Sequence, residues 1–356
     1  MIMQTHLSGL FTKGLIFKYI FVFLAFLYSV LLIVSPALGP SDEFAFLATL
    51  QSGKYLPTHG ADFPYYNAIE LGRFTPLGGQ EYNLVAFFTN SPLGYFGFNA
   101  AELLLCAALL MWLLRQYSAV PALAYLAGIL LLLTPGFTLA YFKLLSVEKN
   151  VLLLFASFLT VYHLFQRRQH AGYFVLVLLC ANAAIYYKEP AFSVVAVFAA
   201  AHLILAWKTS TKLSRALDGL LIVSALLYLG IYLVTILPHI KGAYLPSAED
   251  YTLFVRAKNI TNYALSSDPI PVLILIPLLF WRLFLVFGRR LPAHPILDPM
   301  LAAGVAYMGV FFALNMYGPY YLLPAYAFIL PPAVYFLSRG ELRGVFWKAS
   351  FALTAL

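Results

Sequence analysis

Predominantly apolar runs of about 17–24 residues recur along this chain, each long enough to cross the hydrocarbon of a bilayer as a helix. Ten can be placed, at about 15–38, 97–114, 120–141, 147–165, 171–187, 190–207, 217–237, 269–287, 298–316 and 319–337. Backbone in lipid must satisfy its own N–H and C=O groups, which leaves helices or a closed barrel. The runs are continuous rather than alternating with period two, so they argue for helices.

Charge supports the same solvent. Only 10% of residues are Asp, Glu, Lys or Arg, against about 25% in soluble domains, and 62% are hydrophobic. The expected fold is therefore all-α: a polytopic transmembrane helical bundle of about ten spans, forming one integral membrane domain over residues 1–356. The apolar tail 345–356 is too short to cross and reads as an interfacial tail or the opening of an eleventh span. Lys13 and Lys18 flank the first run, which shows no small-x-small cleavage site before Pro40 and reads as an uncleaved anchor. Cys106 and Cys180 fall inside runs, so no disulfide framework is indicated.

Assigning alternate loops to alternate sides sorts the charges. One side receives 14 of the 22 Lys and Arg but only 3 of the 14 Asp and Glu, which makes it cytoplasmic by the positive-inside rule. The N-terminus then lies in the cytoplasm, and the long loops 39–96 and 238–268 face outward with the short turns near 142–147, 188–190 and 316–320. The net charge of +8 is dispersed over short loops, which gives no nucleic-acid footprint.

The outward loops carry the candidate chemistry. Asp42-Glu43 directly follows the first run, with Ser41 as a cap and Phe44, Phe46, Leu47 and Leu50 giving a surface helix an apolar side before Gly53 ends it. Acids in a first helical turn also favour the dipole, so the pair has a structural use as well as a chemical one. A second surface helix or re-entrant piece is expected around Asn83–Phe88, and a third short helix at Ala248–Lys258. Lys143, Glu148 and Lys149 share one outer turn, where an ion pair within the turn is the plain account. Tyr187-Lys188-Glu189-Pro190 joins two adjacent runs as a tight hairpin, and its lysine is a point charge suited to phosphate. Arg73 in Gly72-Arg73-Phe74-Thr75-Pro76, with Arg256 and Lys258, adds cations on that side. Glu102 sits about one turn inside the second run, where it can either hydrogen-bond within the bundle or line a cavity; Glu189, Tyr187 and Tyr320 are the other acceptor or cavity-lining candidates. Asn259-Ile260-Thr261 matches a glycosylation acceptor. Histidine and cysteine spacing defines no metal site, and neither a P-loop nor a dinucleotide-binding glycine fingerprint is present.

With Ser41-Asp42-Glu43 opening the first outer loop, surface helices behind it and charged outer turns beyond, the layout resembles the membrane-embedded glycosyltransferases of the C-type fold. The resemblance implies transfer of a sugar from a polyprenyl-phosphate-linked donor to a glycan, lipid or protein acceptor, at the outer face of a bacterial inner membrane. It implies Asp42 as general base, with Glu43 as its substitute or as the group that orients the acceptor. Lys143, Lys149, Lys188, Arg256 and Arg73 are then the phosphate candidates. A divalent cation stays open as an auxiliary. The competing expectation is a membrane transporter or a flippase for lipid-linked sugars, which would carry broken helices and polar residues near the bilayer midplane.

Overall fold

The computed structural model describes residues 2–35, 42–53, 72–144, 146–240, 252–288 and 290–339, with side chains from 14 onward in the first segment and from 47 onward in the second. The side chains of Asp42 and Glu43, the tail 345–356 and residues 248–251, the expected opening of the third surface helix, lie outside the described residues.

Every regular element among the described residues is a helix: α1 (Ile2–Val34), α2 (Asp42–Gln51), α3 (Gln80–Ala86), α4 (Pro92–Tyr117), α5 (Pro121–Leu132), α6 (Pro135–Phe142), α7 (Val147–Arg168), α8 (Ala171–Tyr187), α9 (Ala191–Ala206), α10 (Lys212–Ile231), α11 (Leu253–Ser266), α12 (Ile276–Phe287), α13 (Leu297–Ala313) and α14 (Tyr326–Ser338). Each of the ten apolar runs is helical over most of its length. Four helices, however, are long and apolar enough to cross a membrane: Gly14–Val34, Pro92–Tyr117, Val147–Arg168 and Lys212–His239. The number rises to six if each of two bent pairs counts as one span. The remaining apolar helices, α8, α9, α13 and Leu323–Ser338, hold 10–17 residues and fall short of the usual length of about 20.

The bends have local causes. Run 120–141 breaks by 58° between α5 and α6 because Pro135 cannot donate into the preceding turn. Thr134 restarts the helix there by accepting from the Phe137 N–H at 3.3 Å. Between α11 and the helix beginning at Pro271 the axis turns by 108°, and Asp268 Oδ1 accepts the Ile270 N–H at 3.2 Å within the break. The third surface helix is placed later than expected, since α11 runs on to Ser266.

Large apolar side chains face outward along α1 (Ile16, Tyr19, Phe23, Phe26) and α10 (Val223, Leu226, Leu227), as a lipid-facing perimeter requires. Inside it, α7 and α14 pack on each other and on α4, α1 lies across α4 and α5, and α9 joins α10 to α13. Close approach is achieved at Gly136, where a built Cβ would stand 2.5 Å from the Pro319 carbonyl oxygen.

The charged turns gather at opposite ends of this bundle. At one end stand α3, the turns 143–147 and 186–190, and the segment 316–322, joined by hydrogen bonds and ring contacts. At the other, Arg167 meets Gln116, and Arg282 clamps Asp298 through two donors at 2.8 and 3.0 Å. The surface helices of the first loop belong to the former end. α2 begins at Asp42 and is followed by Gly53 in the left-handed region (φ 76°), as its sequence implies. It buries Leu47 and Leu50 and packs on α3, which starts three residues earlier than expected.

Candidate functional site

At that end, residues 72–78 form a strap across α8 and α10. Its polar backbone is held by side chains: the Tyr232 hydroxyl donates to the Gly72 carbonyl (2.9 Å) and the Tyr228 hydroxyl to the Phe74 carbonyl (2.7 Å). The Phe74 N–H donates to Glu189 Oε1 (3.3 Å), and the Leu77 N–H to the Tyr186 carbonyl (3.1 Å). Phe74 packs its ring against Tyr186 and Tyr228. Arg73 is carried into place by this strap, with Nη1 3.6 Å from Glu189 Oε2.

Under the strap lies a pocket of about 300 Å³. Its wall is largely apolar, supplied by Phe192, Leu229, Leu233, Val310, Phe311 and Leu314, while Arg73, Lys188 and Glu189 place three charges in its lining. Lys188 is buried. It donates to Glu148 Oε1 at 3.1 Å, and its ammonium stands 5.7 Å from the centre of the Tyr321 ring. Ser146 Oγ donates to the other oxygen of Glu148 at 3.0 Å.

Glu148 therefore pairs across helices, and the ion pair expected within its own turn gives way to this one. Successive residues at the start of α7 point about 100° apart, which sends Glu148 toward Lys188 and Lys149 elsewhere. Lys149 is only 1% exposed. Its Nζ donates to the Tyr82 hydroxyl (2.9 Å) and to the carbonyls of Leu144 (2.8 Å) and Lys143 (3.2 Å). An ammonium has three N–H donors, which these three acceptors occupy, so the geometry gives Lys149 a structural place and lends no support to the expected phosphate role.

Beside it, Tyr187 donates to Glu81 Oε1 at 2.5 Å, and Asn150 Nδ2 donates to the same oxygen at 2.6 Å and to the Tyr187 hydroxyl. Tyr187 thus belongs to this buried network rather than to the pocket wall. Glu102 lies within electrostatic reach of Lys149 and Glu81. One oxygen each of Glu81 and Glu102 is buried without a hydrogen-bond partner. Lys143 stays exposed at the surface, 5.9 Å from the centre of the Tyr320 ring. Arg256, on α11 near Tyr317, is not among the described residues that line the pocket. Asn259 donates to Asn315 Oδ1 at 2.9 Å from within α11. Of the sequence candidates, the structure brings Arg73, Lys188 and Glu189 together, holds Tyr187 and Glu102 just behind them, and leaves Arg256 aside.

Burial raises the Glu81 carboxyl above its ordinary value of 4.5, against the opposing pull of the Tyr187 hydroxyl, its own backbone N–H, Lys149 and Asn150. A raised folded-state value means the native protein holds this proton more tightly than the unfolded chain. Stability from this group is thus present below about pH 4.5 and lost as pH rises through the higher folded value. Glu81→Gln keeps the acceptor oxygen and removes the titration. The variant is expected to show a flatter loss of thermal midpoint over that window than the wild type; parallel curves would place the pH dependence elsewhere.

Asn150, Tyr228 and Tyr232 are neighbours of these groups that the sequence reading does not single out. Among the described residues no group of three or more His, Cys, Asp or Glu is arranged to hold a metal ion. Comparison with family models, with curated proteins and with solved structures finds no match for this chain.

Proposed function

We propose that this protein is a membrane-embedded transferase that moves a sugar from a polyprenyl-phosphate donor to an acceptor hydroxyl. In this reading the ten apolar helices lie in the membrane, the basic end is cytoplasmic and the strap end faces outward. One observation carries it: an apolar pocket whose charged lining includes Arg73 and Lys188. An isoprenoid tail needs the apolar wall, and a phosphate needs the cations. Asp42 and Glu43, in the first turn of α2 at the same end, supply the carboxylate that takes the acceptor's proton; Lys143 and Tyr320 stand at the rim.

A second reading, movement of a lipid-linked sugar across the bilayer, is favoured by the two bent helix pairs. Vesicles holding the purified protein, a polyprenyl phosphate labelled in its sugar, and extracts supplying acceptors separate the two. The expected result is label transferred to a new product with release of polyprenyl phosphate. Label that changes leaflet while still on its lipid would support the second reading, and label that does neither would sink both.

A further inference from the structure

Both cations of the pocket already hold carboxylates. Lys188 is bound to Glu148 in a dry pair, with side chains 5% and 3% exposed. Arg73 meets Glu189 at 3.6 Å in a wetter one, 21% and 16% exposed. These environments have unequal consequences. Separating a buried pair strands an uncompensated charge, whereas a partly solvated pair opens at little cost because water takes over both groups. Glu189 also has a second reason to stay where it is when Arg73 leaves, since its Oε1 accepts the Phe74 N–H.

We infer that in the unliganded protein Glu189 stands in for the phosphate at Arg73, and that an incoming lipid phosphate binds by taking Arg73 from it. This rests on the donor-site reading above and adds to it a built-in competitor. Lys188 remains on Glu148 throughout and offers the ligand its remaining N–H donors, an ammonium having three. Arg73 turns from one oxygen anion to another without moving its backbone, which the Tyr232 and Tyr228 hydroxyls hold through Gly72 and Phe74. The ligand class is a lipid phosphate with an apolar tail: the sugar-bearing phosphodiester as donor, or the monoester it leaves behind, for which farnesyl phosphate is the short probe.

Binding of farnesyl phosphate to the purified full-length protein, titrated in detergent at fixed pH and low salt, tests this. Glu189→Gln keeps the acceptor for the Phe74 N–H but removes the charge, and is expected to bind about fivefold tighter than the wild type, the order given by release of one partly solvated pair. That advantage should shrink as salt is added. Arg73→Gln is expected to bind at least about tenfold more weakly. Unchanged or weaker binding by Glu189→Gln, with the wild type still binding, overturns the competitor and leaves the donor site standing. Failure of the wild type and Glu189→Gln alike overturns both. Inorganic phosphate should compete poorly; competition equal to farnesyl phosphate would assign the seat to a free anion and remove the tail from the proposal.

Discussion

Replacing Asp42 by asparagine is expected to lower sugar transfer by about 10²–10⁴-fold, the range for loss of a positioned general base. The change is nearly isosteric, and asparagine is itself accepted at helix starts, so the fold should tolerate it. Losing one acid from the first turn of α2 costs about 0.3–1 kcal/mol through the helix dipole. A fall of that size in activity is therefore not a fall in folded protein, which a thermal midpoint within a few degrees of wild type would verify. Because the proposed base would act on the acceptor, farnesyl phosphate should bind Asp42→Asn as it binds the wild type. Retention of transfer within about threefold would remove Asp42 as the base. Glu81, with one oxygen unbonded at the same end, would then be the next carboxylate to test.

Lys188→Met carries the largest expected effect on stability. Glu148 is 2% exposed, and without Lys188 it keeps Ser146 as its side-chain partner but no cation at hydrogen-bond distance among the described residues. Breaking one half of such a pair costs about 3–5 kcal/mol, most of it the penalty of a stranded charge. Adding Glu148→Gln to Lys188→Met should recover the greater part of that loss, since both charges are then gone. Unfolding midpoints of the two single variants and the double one give the coupling directly. Additive losses would mean the pair contributes nothing as a pair. Restored stability should not restore binding of farnesyl phosphate, because the pocket has still lost a cation.

The one-dimensional pattern made some of this legible for definite reasons. Apolar runs declare helices because lipid leaves the backbone no other partner, and each run is helical in the structure. α2 was readable because Asp42-Glu43 and Gly53 mark its ends by local chemistry. Grouping of the charged turns followed from counting loops. Pairing did not. Lys149 and Glu148 are neighbours in sequence, yet one serves Tyr82 from α3 and the other Lys188 from the turn after α8. Such partners lie 40 and 67 positions away, and no local rule selects them. The break at Pro135 was likewise hidden inside a run whose hydropathy continues across it.

The tight seat of Gly136 on the Pro319 carbonyl reaches beyond packing. Any larger residue at 136 must push the turn that carries Tyr320 and Tyr321, whose rings sit beside Lys143 and Lys188. The kink in the bundle interior is thereby coupled to the rim that carries these rings. A larger side chain at 136 therefore calls for an accompanying shift of the 319–321 turn.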